Sequence, residues 1–377
     1  MRIEQRTRTS AGWVPAVGHG GFESAQLVLL FGSAATLQDP ETWSVLRQSY
    51  PRARVVGCST AGQISGIHVH DDELVATAIE LAHGHIAVAS AQLTDAPDDT
   101  ALGAGVASGL PREGLVHVLV LSEGLRVNGS ALVAGMVSAL PAGVAVTGGL
   151  SGDGPRFKHT SVCLDGPSPS QQVVAIGFYG TGLHVGFGSR GGWDPFGPER
   201  RITRSVGNVL HELDGEPALD LYKRYLAEHA AGLPASGLLF PLTIWSSTSE
   251  PVVRTILAID EVARSLTFAG DVPMGHRARL MRANVERLVD GASSAANTSL
   301  EGTTLTSPDL AILISCVGRK LVLKQRTEEE LEAVRDAFGD ATVMTGFYSY
   351  GEISPFSPSA PCELHNQTMT ITTISER

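Results

Sequence analysis

Three things are scarce in this chain, and each scarcity removes a class of function. The four cysteines, Cys58, Cys163, Cys316 and Cys362, are scattered without a CxxC pair. Neither a zinc cage nor a disulfide framework is indicated, and a reducing, cytoplasmic compartment fits best. No apolar run approaches the roughly 18 residues that a membrane-crossing helix needs. The stretch Met1 to Val17 lacks the continuous apolar segment of a secretory signal. Basic residues are few: 28 Lys and Arg stand against 39 Asp and Glu, a net charge of -11. Binding to a phosphate backbone needs clustered bases, so nucleic acid is excluded as a partner. The densest basic stretch, Arg200 to Arg204, holds three arginines and reads as a solvated strand end.

What is present is apolar and glycine-rich. With 377 residues and 43% hydrophobic content, the chain has material for two or three domains with real cores. Its 42 glycines predict tight turns and close backbone packing.

An internal repeat organises the chain. The first copy runs from the apolar Leu27-Val-Leu-Leu-Phe31 through a helical stripe, Trp43, Leu46 and Tyr50, to Arg54-Val-Val56. A polar loop follows, Gly57-Cys-Ser-Thr-Ala-Gly-Gln-Ile-Ser65, then an alternating segment from Glu73 to Leu81. The last copy runs from Leu310-Ala-Ile-Leu-Ile314 through Leu331, Val334 and Phe338 to Thr342-Val-Met344. Its loop is Gly346-Phe-Tyr-Ser-Tyr-Gly-Glu-Ile-Ser354, followed by Asn366 to Ile374. A weaker middle copy comprises Val116 to Leu121, a helix over Ser130 to Leu140, Val144-Ala-Val146, the loop Gly148 to Gly154, and Thr160 to Leu164. Each unit reads as strand, helix, strand, loop, strand, with parallel pairing through a right-handed crossover. The expected fold is α/β: duplicated units forming two related halves with additional antiparallel β-structure.

The remaining chain turns β-rich. Val173 to Phe178 and Leu183 to Gly188 predict a hairpin. Glu216 to His229 predicts a helix. Gly237 to Trp245 and Val252 to Ile259 predict paired strands about Thr248 to Pro251. Gly275 to Val289 predicts a second helix, and Asp290 to Thr306 a surface connection. A boundary near Asp214 divides the chain into residues 1–214 and 215–377.

Ligands of open α/β sheets bind beyond the carboxyl ends of strands, where all three glycine-rich loops fall. Gly148 and Gly149 would let backbone N–H groups approach a ligand. Ser59, Thr60, Asp153, Tyr348, Tyr350 and Glu352 would supply hydroxyl and carboxylate partners. His365 and Asn366 add hydrogen-bonding groups, and Arg319 could clamp a carboxylate or pair with Glu352 or Glu328. The mix suits a small polar metabolite carrying an amine and a carboxylate, such as an amino acid. Plain turns would use the same glycines.

Other motifs fail on context. Gly186-Phe-Gly-Ser-Arg-Gly191 matches GxGxxG, but Gly192-Trp-Asp-Pro stands where a helix must start. There is no P-loop and no GxSxG elbow. Cys58 or Ser59 as a nucleophile lacks an evident paired base. His68-Val-His70 and His83-Gly-His85 read as strand-edge histidines.

Taken together, Gly57 to Ile64, Asn128-Gly129, Gly148 to Asp153, Trp193-Asp-Pro-Phe-Gly197, Leu213 to Ala218, Gly346 to Ile353 and Leu364-His-Asn-Gln-Thr368 resemble the FIST family. One departure is Gln63, where the family loop carries Glu. The resemblance covers nearly the whole chain. It implies a sensory domain pair for small ligands, not an enzyme, working on a separate partner such as a histidine kinase or a cyclic-dinucleotide enzyme. A subgroup of stand-alone members resembles haem-binding nitric-oxide sensors. Haem needs an axial ligand in an apolar pocket, for which His211, in Val209-Leu-His-Glu-Leu213, is the first candidate and His276 the second.

Overall fold

The computed structural model describes residues 1–15, 22–93, 98–167, 171–246, 251–301, 307–356 and 360–377. The fold is α/β. Its frame is three six-stranded sheets that share one order in a four-stranded core. In the first, Arg54–Ser59, Leu27–Gly32, Leu74–Glu80 and Arg2–Thr9 lie side by side. The second holds Ala145–Leu150, Leu115–Ser122, Gln172–Tyr179 and His85–Gln92, and the third Val343–Ser349, Leu310–Cys316, Met369–Glu376 and Leu183–Arg190. In each, the leading pair is parallel and the rest antiparallel. The weak middle copy is thus a full third unit.

The units exchange strands in a cycle. Gln63–Ser65 of the first unit pairs with Val343–Ser349 of the third. Gly351–Pro355 of the third pairs with Ala145–Leu150 of the second. Val162–Leu164 of the second pairs with Arg54–Ser59 of the first. An equivalent backbone hydrogen bond recurs at each junction. Ala61 N–H donates to Tyr348 O at 2.8 Å, Gly152 to Ser59 O at 2.9 Å and Tyr350 to Leu150 O at 3.2 Å. Each donor lies four residues, and each acceptor two, beyond its unit's loop glycine.

The inner faces meet in one apolar core that includes Leu29, Phe31 and Val56, Leu119, Leu121 and Ile176, and Ile312, Ile314 and Phe347. Burying such side chains stabilises by about 1.5–3 kcal/mol each. Helices cover the outer faces. Asp39 caps Pro40–Ser49, and Asn128 caps Gly129–Ala139 by accepting from Ser130 N and Ala131 N, as side-chain oxygens at that position do. No helix among the described residues is long and apolar enough to cross a membrane.

Residues 193–283 interrupt the third unit as an antiparallel lobe with its own core, including Ile202, Leu219, Tyr222 and Phe268. Its helix, Ala218–Leu226, and the pair Leu242–Trp245 with Val252–Arg254 follow the sequence pattern; residues 248–250 lie outside the described residues.

Four expectations need correction. Gln172–Tyr179 and Leu183–Arg190 form no hairpin, because each pairs into a different sheet. Gln172–Tyr179 also takes the closing position expected of Thr160 to Leu164, part of which joins the first unit. Arg277–Ala283 is a strand with Ala278 and Leu280 turned inward, and the helix starts only after the cap Asn284. The Ser- and Ala-rich stretch read as a connection belongs largely to this helix, Val285–Ser299. Its small residues have a packing reason. A β-carbon on Gly186 would lie 1.9 Å from Ser299 O, and one on Gly188 2.3 Å from Ala295 O, so helix and strand touch backbone to backbone.

Candidate functional site

A cavity of about 980 Å3 opens where the three units meet. The first unit contributes Thr60 to Gly62 with Asp71 and Asp72, the second Asp153 to Arg156 with His159, and the third Lys320 and Lys324. Lys320 Nζ donates to Ala61 O at 2.9 Å and pairs with Asp71. Gly62 makes this approach feasible: its φ is +141°, and a β-carbon there would lie 2.6 Å from Nζ. Asp153 is nearly buried. It accepts from Arg156 Nε at 2.8 Å and from the backbone of His159 at 3.2 Å. Arg156, paired with Asp153, remains 59% exposed. The cleft thus presents three basic side chains and three carboxylates around an open volume within the range of small-ligand sites.

Of the expected ligand residues, Thr60 and Asp153 line this cleft. The others lie behind it. Tyr350 OH donates to Gly154 O at 2.8 Å and its ring stacks on Phe157, 4.3 Å between centroids; it props the loop that carries Asp153. Ser59 Oγ accepts from Ser161 N at 2.9 Å. Gly148 and Gly149 are buried within a strand. Arg319 is wholly buried and clamps an internal carboxylate, Glu330, through Nε at 3.0 Å and Nη2 at 2.7 Å; Tyr348 OH donates to Glu330 at 2.6 Å. Neither Glu352 nor Glu328 is the partner of Arg319.

The motif Leu364 to Thr368 is a fastening. Arg254 Nη1 donates to Leu364 O at 2.9 Å, Thr255 N to Asn366 Oδ1 at 3.1 Å, and Trp193 Nε1 to Gln367 O at 3.1 Å. These bonds tie the lobe to the ring. His365 is buried against Ser354 O, and burial pushes its pKa down to about 3, so it stays neutral.

Glu352 is fully buried. Burial pushes its carboxyl up to about 8, against donation from Ser349 Oγ and from Thr368 N and Oγ1. Between 4.5, the ordinary value, and 8, the native state holds a proton that the unfolded chain releases. Stability therefore falls as pH rises through that window, by up to about 1.4 kcal/mol per pH unit. Glu352→Gln removes this titration. Its melting temperature, followed by scanning fluorimetry, is expected to fall less between pH 7 and 8 than that of the wild type, above the range in which the buried His365 and His117 contribute through their unfolded-state titration. An unchanged slope would assign the titration to another group.

Lys320, Lys324, Arg156 and His159 were missed as site residues because nothing in their spacing marks them as neighbours. Cys58 is fully buried with its thiol pushed well up by burial, the reverse of an activated nucleophile. Among the described residues no group of three His, Cys, Asp or Glu could hold a metal ion.

A second cleft, about 340 Å3, separates the lobe from the Gly129–Ala139 helix and includes Arg254, Asp271 and His276. His211, half-buried on Val209–Leu213, borders neither cleft. His276 faces a wall that carries a guanidinium and two carboxylates, Asp271 and Glu363. The charged wall at His276 does not fit the apolar pocket of a haem.

Comparison with known proteins gives three results. The FIST N domain model matches residues 26–216 and the FIST C domain model residues 218–355. Uncharacterized proteins from two strains of Mycobacterium tuberculosis, H37Rv and CDC 1551, are each 24% identical over 352 residues, spanning 89% of this chain and 88% of theirs. A cyanuric acid hydrolase structure from A. caulinodans aligns over 100% of this chain and 98% of its own, at 10% identity and a TM-score of 0.36.

Proposed function

Because the chain belongs to the FIST family, whose domains are associated with sensory signal transduction, we propose that it is a cytoplasmic sensor of a small polar metabolite carrying both an amine and a carboxylate. The observation that carries this reading is the junction cleft, where groups of both charges from all three units surround one cavity. A ligand carboxylate would meet Arg156 and Lys324, and its ammonium Asp72. A ligand held there touches every unit at once, which is how occupancy could reach a separate partner such as a histidine kinase or a cyclic-dinucleotide enzyme. The haem reading is weakened by the charged wall at His276, and the nucleophile reading by the burial of Cys58.

The test is a thermal-shift screen of the proteinogenic amino acids, followed by calorimetry of any that stabilise. Arg156→Ala is expected to weaken binding about 10- to 100-fold, the worth of one charge-assisted hydrogen bond. Its stability should fall by only about 1–3 kcal/mol, because Arg156 is mostly exposed while the nearly buried Asp153 loses its ion pair and keeps its backbone donor. Wild-type affinity in this variant would remove the cleft from consideration.

A further inference from the structure

Two buried arginines in this chain are treated differently. Arg319 has its carboxylate, Glu330. Arg254 is 6% exposed and, among the described residues, has no ion pair. Its partners are neutral: Nε donates to Asp271 O at 2.9 Å, Nη1 to Leu364 O at 2.9 Å and Val253 O at 3.4 Å, and Nη2 to Ser130 Oγ at 3.4 Å. Burial lowers its pKa to about 10, against some support from Glu363 and Asp271. A buried cation without a counter-ion is costly.

The donor count shows where an anion would go. A guanidinium has five N–H groups; four are used, and the second on Nη2 has no described acceptor. Ser130 Oγ accepts from Asp271 N at 3.1 Å and from Nη2, while its own O–H has no described acceptor. The two unused donors sit on atoms 3.4 Å apart, on two residues that both line the second cleft, a spacing that the two oxygens of one carboxylate can serve. Beyond them the cleft has an aliphatic side, Val133, Ala134, Ile244, Val252 and Pro273, and a polar side that carries Asp271, Glu363 and His276.

We propose that this cleft binds a short aliphatic carboxylate, its head on Arg254 and Ser130 and its tail between the lobe and the Gly129–Ala139 helix. The site is distinct from the junction cleft. Because its walls come from both lobe and ring, an occupant clamps the two together.

The whole protein is titrated calorimetrically with isovalerate, leucine and isoamylamine at up to millimolar concentration. Isovalerate is expected to bind and isoamylamine to fail. Leucine, titrated in the Arg156→Ala background so that the junction cleft does not contribute, distinguishes a free acid from an amino acid as the natural occupant: tighter binding than isovalerate assigns its ammonium to Asp271 and Glu363, weaker binding assigns the site to free acids, and either supports the carboxylate subsite. Ser130→Ala is expected to weaken isovalerate about tenfold, and Val252→Trp, which fills the cleft from its edge, to abolish it. Arg156→Ala should leave it unchanged, which separates this site from the junction cleft. Absence of binding by both acids, binding of isoamylamine, or undiminished binding in Val252→Trp would overturn the proposal.

Discussion

Gly346→Ala is expected to leave little or no soluble folded protein. A β-carbon at this position would lie 1.8 Å from Leu313 O on the neighbouring parallel strand, and its φ of +152° is one that other residues rarely adopt. Nothing there can give, because the obstruction is backbone inside a two-sided, buried sheet. A destabilisation above about 4–5 kcal/mol is expected, against a total of about 5–15 kcal/mol for a typical domain. The two equivalent glycines show the same obstruction: 1.9 Å from Val120 O for Gly148 and 2.0 Å from Leu30 O for Gly57. Gly66→Ala is the control. Its φ is +59° with nothing within 4 Å, so the cost is conformational alone, about 1–2 kcal/mol. Soluble yield and melting temperature compare the two; similar values would show that the close approach is not what selects glycine.

Arg319→Leu is expected to cost about 3–5 kcal/mol in urea denaturation, because it strands the buried Glu330 carboxylate without its charge partner. Replacing both, Arg319→Leu with Glu330→Leu, should recover part of that loss, since no unpaired charge then remains inside. A ligand-clamping arginine would behave oppositely, losing affinity while keeping stability. A single variant that costs less than about 1 kcal/mol would contradict the structural role.

Much of the framework was legible because it is local. Apolar runs such as Leu27 to Phe31 and Leu310 to Ile314 announce buried strands, and the glycines at 57, 148 and 346 recur at matching points in their units. What sequence could not show is which surfaces meet. Arg319, Tyr348 and Glu330 read as separate polar residues, and only folding reveals that they satisfy one another. The exchange of strands between units was likewise invisible, because a three-residue segment such as Gln63–Ser65 carries no mark of its partner sheet. Ala292, Ala295 and Ala296 misled for a different reason. Their small side chains fit a helix pressed onto glycine-containing strand backbone, yet the same composition suits a loop. In the junction cleft, Thr60 and Asp153 were found because they sit on repeated loops, whereas Lys320 and Arg156 belong to no repeated pattern.

The order of strands also sets a timetable for synthesis. Met369–Glu376 fills the lane between Leu183–Arg190 and Leu310–Cys316. Until the ribosome has released that segment, the third sheet has a gap at its middle, and the Leu183 strand waits with an unpaired edge through the making of nearly half the chain. Such an edge invites pairing with other chains. Closure of the ring is therefore a late event, and the nascent protein depends on whatever shields that edge in the meantime.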